Sequence, residues 1–205
     1  MYWRVMEYIS DFTSVLPPVL LTAAMYALLR RLWLRRRGLP RRSWGEELTR
    51  LLLVCWLAAL LALVWTPGNF WIKLRNWIGH GIPMELGDWL FQGDFSFEVA
   101  FPQQFARMLA GGSWQTAANM VMYLPLGVLL PLVWKDARWY RVTAAGLALS
   151  LVTELVQPVV GRSFDVDDLI ANTLGTLAGY GVFAVGRGIF RRSRGEGAGE
   201  PPQGE

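Results

Sequence analysis

Long apolar runs that carry almost no charge recur along the chain, separated by shorter polar stretches. A soluble domain alternates polar and apolar positions, so that each helix or strand has a face toward water. These runs lack that alternation, and each is long enough to cross a bilayer as a helix. The pattern therefore predicts an all-α, polytopic membrane protein with about five transmembrane helices, at residues 12–34, 47–65, 116–134, 142–160 and 167–190.

The connection between the second and third spans, from about residue 67 to 115, is long and rich in aromatic residues. Between Phe95 and Phe101, large apolar residues alternate with small or polar ones, which is the period of a β-strand. The tryptophans of the same connection are equally typical of a segment that lies at the membrane–water interface. The pattern leaves both structures open.

The basic residues indicate which way the spans cross the membrane. Of the 20 Lys and Arg residues, fifteen lie in three stretches, at 30–50, at 135–141 and from 187 onward. Five spans place these three stretches on one side of the membrane. Because Lys and Arg are enriched in cytoplasmic loops, the N-terminus is predicted outside and the C-terminus in the cytoplasm. The connection at 67–115 and the turn at 161–166 are then predicted to face outward.

Composition excludes several classes of function. The arginine-rich stretch at 30–50 could attract nucleic acid, but between two spans it is better explained by topology and by attraction to anionic lipid. One cysteine, Cys55, cannot form an internal disulfide, and the lone His80 cannot make a multi-histidine metal site. Membrane lipids are therefore the predicted partners, and no nucleic acid, metal or cofactor is predicted.

The last two spans carry ionisable and amide side chains where they meet. Such residues are costly inside a span, so each one needs a reason. Residues three, four or seven apart share one face of a helix, and a tight turn holds the two faces at the same membrane depth. An arginine in that turn is a natural counter-charge for the carboxylates. The candidate binding residues are Glu154, Gln157, Arg162, Asp165, Asp168 and Asn172, together with Asn119 on the third span.

Ordinary helix chemistry offers an alternative for part of this set. Asp165 could cap the fifth helix, and Asp168 could complement its dipole. Asp167 is assigned to helix-end electrostatics because it points off the shared face. Gln157 and Asn119 could simply hydrogen-bond neighbouring helices. Close helix packing, rather than a site, is predicted for the stripe of small residues Ala171, Gly175 and Gly179.

Two motifs resemble those of the VanZ-like family. The third span contains Asn119-Met-Val-Met-Tyr-Leu-Pro-Leu-Gly127, similar to the family's Asn-(apolar)-Phe-(apolar)-Pro-Leu-Gly motif, with Tyr123 in place of Phe. The more specific C-terminal signature, Glu-x-x-Gln followed by Arg-x-x-Asp-x-x-Asp-x-x-x-Asn-x-x-Gly, fits without gaps from Glu154 to Gly175. The resemblance covers about residues 48–190. It departs at the connection 67–115, which is longer than the family's.

The resemblance implies a location in the bacterial cytoplasmic membrane and a link to the cell envelope or to amphiphilic antibiotics. The family's namesake is associated with low-level resistance to teicoplanin, a lipoglycopeptide with an acyl tail. The chain is accordingly divided into an N-terminal span with a basic cytoplasmic loop at 1–47, a VanZ-like membrane domain at 48–190, and a cytoplasmic tail at 191–205 that is predicted to be disordered.

Three functions remain open. The favoured one is a binding module for an amphiphilic ligand, a lipoglycopeptide or a cell-wall lipid, whose head lies at Arg162 and the carboxylates. A membrane enzyme acting on a lipid-linked substrate would use Glu154 and Asp168 as base and acid, or carboxylates around Mg²⁺. A proton-coupled transporter would use Glu154, but five spans lack the paired broken segments of transporter repeats. A homo-oligomer could supply the missing spans from a second copy of the chain.

Overall fold

The computed structural model describes residues 2–38, 43–66, 70–83, 87, 90–112, 114–134 and 136–196. In this part of the chain, five helices are long and apolar enough to cross a membrane, which confirms the predicted fold class. Their membrane-compatible segments are Val15–Arg37, Trp44–Trp65, Gln115–Val133, Trp139–Val160 and Val166–Ser193. The helices are α1 Tyr2–Arg37, α2 Trp44–Trp65, α3 Phe70–His80, α4 Phe101–Leu109, α5 Gln115–Val133, α6 Trp139–Val156 and α7 Val166–Glu196.

The first and last helices are longer than predicted. Helix α1 begins at Tyr2 rather than at residue 12, so Pro17 and Pro18 lie in its interior. Helix α7 continues to Glu196, and the tail predicted to be disordered from residue 191 is therefore helical at its beginning. Hydropathy marks only where a helix enters the bilayer, whereas backbone hydrogen bonding continues beyond that point. Residues 197–205 lie outside the described residues.

Helices α5 and α7 form the centre of the bundle and approach each other very closely. A Cβ atom added to Gly175 would lie 2.1 Å from the Met120 carbonyl oxygen, and one added to Gly179 would lie 2.1 Å from that of Leu124. Gly127 of α5 makes the reciprocal approach, with Thr176 O 2.0 Å from the added Cβ. The predicted packing stripe is thus confirmed, and the close approach is possible only because these residues lack side chains.

The other spans surround this central pair. Helix α6 packs on α7, and α2 packs on α5. Leu60 and Val64 of α2 form a buried cluster with Tyr123 and Leu126 of α5. The indole of Trp56 meets the Tyr123 ring edge-on, with 6.2 Å between centroids, and donates a hydrogen bond to the Met122 carbonyl. Helix α1 lies at the periphery and packs chiefly on α2.

One end of the bundle, here called the site face, is formed by the segment between α2 and α5 and by the turn between α6 and α7. That turn consists of a 3₁₀ helix, Gln157–Val160, followed by a short strand β2, Phe164–Asp165. Strand β1, Phe95–Ser96, pairs with β2 in parallel. The strand alternative for this segment is therefore confirmed over two residues, and the same connection also contains the helices α3 and α4, which the pattern did not predict.

Further backbone hydrogen bonds fasten the β1 segment to the turn. Phe91 N donates to Val159 O at 3.0 Å, Gly93 N to Pro158 O at 3.2 Å, and Phe164 N to Asp94 O at 2.9 Å. Gly93 is needed here because a Cβ at this position would lie 1.7 Å from the Arg162 carbonyl oxygen. The site face is thus covered by a segment that comes from far away in the sequence.

Candidate functional site

Glu154 is the most deeply buried of the predicted site residues, with 1% of its surface exposed. It lies in the last turn of α6. Its Oε1 accepts a hydrogen bond from Gln157 Nε2 at 3.2 Å, and its Oε2 accepts one from the backbone N–H of Asp165 at 3.3 Å. A buried carboxylate is tolerated when such donors satisfy its oxygens. Glu154 thereby ties the end of α6 to the start of α7.

The backbone conformation of the turn allows the Asp165 amide to reach Glu154. Gly161 ends the 3₁₀ helix with a φ of 77°, in the left-handed region that glycine adopts without strain. Arg162 N then donates to Gln157 O at 2.9 Å. Asp165 Oδ1 accepts from Asp167 N at 2.8 Å, which is the geometry of a helix N-cap. Asp165 therefore makes the N-cap contact that was one of the alternatives for it.

Asp168 lies one helical turn after Asp165 and reaches a third helix. The carboxylate of Asp168 lies within electrostatic range of the Asn119 side chain of α5. Asp168 is partly buried and also lies within electrostatic range of Glu154, Asp165 and Arg162. Asn119 thus joins the cluster through Asp168, whereas the sequence left helix bonding and pocket lining as equal alternatives for it.

Asn172 lies deeper in the bundle and belongs to a second group of polar side chains. Its Nδ2 donates to Ser150 Oγ at 2.9 Å. Its Oδ1 is buried and has no hydrogen-bond partner within the described part of the chain. Thr153 donates to the Ser150 carbonyl and is hydrogen-bonded to the Tyr123 hydroxyl at 2.8 Å. Asn172 is therefore close to the Glu154 cluster along the chain but has different partners.

Asp167 has a larger role than helix-end electrostatics. It is 2% exposed, and both carboxylate oxygens lie 3.1 Å from the backbone N of Ala100. Gln104 Nε2 of α4 donates to its Oδ2 at 2.7 Å, and Thr116 Oγ1 approaches Gln104 Oε1 at 3.5 Å. Asp167 thus fastens α4 and the segment before it to the start of α7.

Arg162 differs from the predicted counter-charge. Its side chain is exposed, and its Nη1 donates to the Leu63 carbonyl near the end of α2 at 3.4 Å. Within the described ranges, it forms no salt bridge with the carboxylates of the cluster. It acts on Glu154 and Asp168 at longer range. Its guanidinium is therefore accessible from outside the bundle.

The cluster has two layers with different chemical abilities. Glu154, Asp167 and Asn172 are buried and hold neighbouring segments, whereas Arg162 and Ser163 are exposed. In the part of the chain that the structure describes, no group of three or more His, Cys, Asp or Glu residues is placed to hold a metal ion. The exposed residues can recognise a ligand, and the buried residues can maintain the shape of the site.

Sequence reasoning missed several members of the buried layer. Ser150 and Thr153 precede Glu154 by four residues and by one. This spacing places Ser150 on the face of Glu154, so a signal for it was available. Gln104 and the Ala100 amide gave no such signal, because nothing in the local sequence links them to α7.

Glu154 offers a direct test of the buried layer. Glu154→Leu removes both acceptors and leaves the donors of Gln157 and Asp165 buried and unpaired, so we expect the free energy of unfolding to fall by about 2 kcal/mol. Glu154→Gln keeps one acceptor and should cost about 1 kcal/mol. Unfolding of detergent-solubilised protein measures both, with exposed Glu98→Gln as the control. Equal stability of all four proteins would contradict this role.

Comparison with known protein families gave a match. The family model described as VanZ/LLP1 matches residues 51–190, from the first third of α2 to near the end of α7. The match contains every predicted site residue and excludes α1. Curated proteins and solved structures gave no match. Because the matched region spans well over half of the 205 residues, this chain belongs to the VanZ/LLP1 family.

Proposed function

We propose that the protein binds an amphiphile at the site face, with the polar head at Arg162 and the ligand's acyl tail on the apolar surface of the neighbouring helices. The observation that carries the proposal is the exposed guanidinium of Arg162, which lies on a turn held by backbone hydrogen bonds, near the buried carboxylate of Glu154. Because the backbone of this turn is already ordered, little backbone order must be created on binding.

Apolar surface beside Arg162 supports an amphiphile over a wholly polar ligand. The rings of Phe95 and Phe97 stack with 6.2 Å between centroids, yet both remain more than half exposed. Leu151 and Leu155 of α6 are exposed one helical turn apart and lead toward the turn. A head group at Arg162 would therefore have aromatic rings on the site face and an aliphatic helix surface within the bilayer beside it.

Charges of both signs favour a head group that also carries both. Arg162 can pair with a carboxylate or phosphate, whereas Asp165 and Asp168, which are partly buried, can attract an amine. A lipoglycopeptide with an acyl tail has this combination, and so does a cell-wall lipid with a peptide. We infer that a lipoglycopeptide of the teicoplanin kind is one ligand, and that its capture contributes low-level teicoplanin resistance.

The location follows from the same proposal. The ligand would meet the protein from outside the cell, so the site face would lie at the outer surface of a bacterial cytoplasmic membrane. The basic residues support this orientation because they concentrate at the opposite end of the bundle. The N-terminus would then be outside and the C-terminus in the cytoplasm.

Catalysis and transport have less support from the contacts. Both oxygens of Glu154 already accept hydrogen bonds, and the residue is almost inaccessible. A general base needs hydrogen-bond reach to its substrate. Deeper in the bundle, a Cβ on Gly146 would lie 2.4 Å from Thr176 Oγ1, so α6 and α7 are in close contact there and leave little room for a transport path between them. Neither alternative is favoured by a specific observation.

The test is charge reversal of the exposed guanidinium. We expect Arg162→Glu in full-length protein reconstituted in nanodiscs to bind fluorescently labelled teicoplanin about tenfold more weakly, since one charged hydrogen bond is lost. Arg107→Glu is the matched control, because Arg107 is exposed on α4 of the same face. Equal weakening by the two variants would indicate a general charge effect, and unchanged binding by Arg162→Glu would remove the proposed contact.

A further inference from the structure

A groove of about 330 Å³ opens between α1 and α2 at the end of the bundle opposite the site face. Its walls are mainly apolar, and they come from both helices. Charged and aromatic side chains lie among them near the ends of the two helices. The lining includes Ala27, Arg30, Arg31, Trp44, Leu48 and Leu51.

The two arginines of the groove have different environments. Arg30 donates to both carboxylate oxygens of Glu47, from Nε at 3.2 Å and from Nη2 at 2.9 Å, and its guanidinium lies 5.0 Å from the Trp33 ring centroid. This pair is close to neutral as a unit and joins the two helices. Arg31, by contrast, is exposed at the rim. The net charge of the groove therefore comes from Arg31, supported by Arg35, Arg36 and Arg37 in the last turn of α1.

Apolar walls with a guanidinium at the rim match a lipid that carries negative charge. Aliphatic residues such as Leu48 and Leu51 suit an acyl chain, and a guanidinium suits a phosphate. Trp44 is 89% exposed at the start of α2, and tryptophan is enriched where a span meets the head groups. A second copy of this chain is a poor occupant, because a symmetric contact would bring the arginines of two α1 helices together.

We propose that this groove binds one anionic phospholipid, with an acyl chain between α1 and α2 and the phosphate at Arg31. Helix α1 lies outside the family match of residues 51–190 and packs chiefly on α2. A lipid in the groove would therefore contact both helices and strengthen the attachment of α1. This site is separate from the amphiphile site, since the two lie at opposite ends of the bundle.

Native mass spectrometry of delipidated full-length protein tests the proposal. One molecule of phosphatidylglycerol should bind to each protein, and it should bind more tightly than phosphatidylcholine does. Arg31→Gln should weaken phosphatidylglycerol binding about fivefold, because one basic residue facing anionic lipid is removed. Ala27→Phe, which fills the groove without changing charge, should also weaken it. Arg138→Gln is the matched control, since Arg138 is exposed at the same end of the bundle but lies outside the groove.

Each other outcome overturns the proposal. Equal binding of the two lipids would show that charge is not recognised. Equal losses in Arg31→Gln and Arg138→Gln would show that the surface attracts lipid without a site. Full binding by Ala27→Phe would place the lipid elsewhere. A lipid-free dimer that is lost in Ala27→Phe would assign the groove to a second copy of the chain.

Discussion

Gly175→Ala is expected to leave little correctly folded protein, although it adds a single methyl group. That methyl would lie 2.1 Å from the Met120 carbonyl oxygen and 2.8 Å from Met120 Cα. Both are backbone atoms of a hydrogen-bonded helix, so the contact can be relieved only if α5 and α7 move apart. Overpacking of this kind costs about 3 kcal/mol, and separation would also loosen the contact at Gly179. The reconstituted variant should unfold at a markedly lower denaturant concentration than the wild type, and less of it should be recovered from membranes.

Gly181→Ala is the matched control for this prediction. Gly181 lies on the same helix, six residues further on, and a Cβ there would meet nothing within 4 Å. Alanine has a better helix propensity than glycine, so this variant should be as stable as the wild type or slightly more stable. If the two variants were equally stable, α5 and α7 could not be packed as closely as described.

Asp167→Ala is expected to release the segment that covers the site face. The change removes the acceptor of two donors, the Ala100 amide and the Gln104 side chain, and leaves both without their charged partner. Hydrogen bonds to a charged group contribute about 1.5–3 kcal/mol, and the contact from Gln104 is short at 2.7 Å. We expect a loss of about 3 kcal/mol in the stability of this segment. Hydrogen exchange of the Ala100 amide should accelerate strongly.

The control for Asp167→Ala removes a different carboxylate, one that lies in the segment that Asp167 holds. Glu98 is exposed, two residues before Ala100, so Glu98→Ala should leave hydrogen exchange at Ala100 unchanged. Exchange across α5 should remain slow in both variants, because that helix is held by the glycine contacts. An Ala100 amide that is equally protected in Asp167→Ala and in the wild type would show that Asp167 does not hold this segment.

The spans were predictable because hydropathy is a local property of the sequence. The apolar runs gave five helices, and four-residue spacing identified Gly175 and Gly179 as packing positions. Helix ends were less predictable, since α1 and α7 continue past the apolar stretch. The same locality explains why Gln157 could be placed on the helix face of Glu154, whereas the Asp165 amide could not be predicted as its second partner.

The contacts that shape the site face were not predictable, because they join positions that are distant in the chain. Asp167 binds Ala100, 67 residues earlier, and Arg162 binds the Leu63 carbonyl, 99 residues earlier. Local spacing assigned Asp167 to the helix end and Arg162 to the carboxylates. In the structure, Asp167 instead holds the segment before α4, and Arg162 is exposed and binds the end of α2. The candidate set therefore divides into buried residues that maintain shape and exposed residues that can meet a ligand.

This division changes which residue should be varied to test function in cells. A Glu154 variant would combine lost function with lost stability, since its oxygens hold the α6–α7 turn. Arg162 is exposed, and its hydrogen bond to the Leu63 carbonyl is long at 3.4 Å, so its replacement should leave the fold intact. Arg162→Glu thus separates ligand recognition from folding.

Antibiotic susceptibility of a bacterium that expresses the protein tests the central claim most directly. Wild type, Arg162→Glu and Arg107→Glu would be compared at equal membrane levels, with teicoplanin and with vancomycin, which lacks the acyl tail. We predict that wild type and Arg107→Glu raise the inhibitory concentration of teicoplanin more than that of vancomycin, and that Arg162→Glu loses this difference. Protection by Arg162→Glu equal to that of the wild type, or no protection by the wild type, would contradict the account.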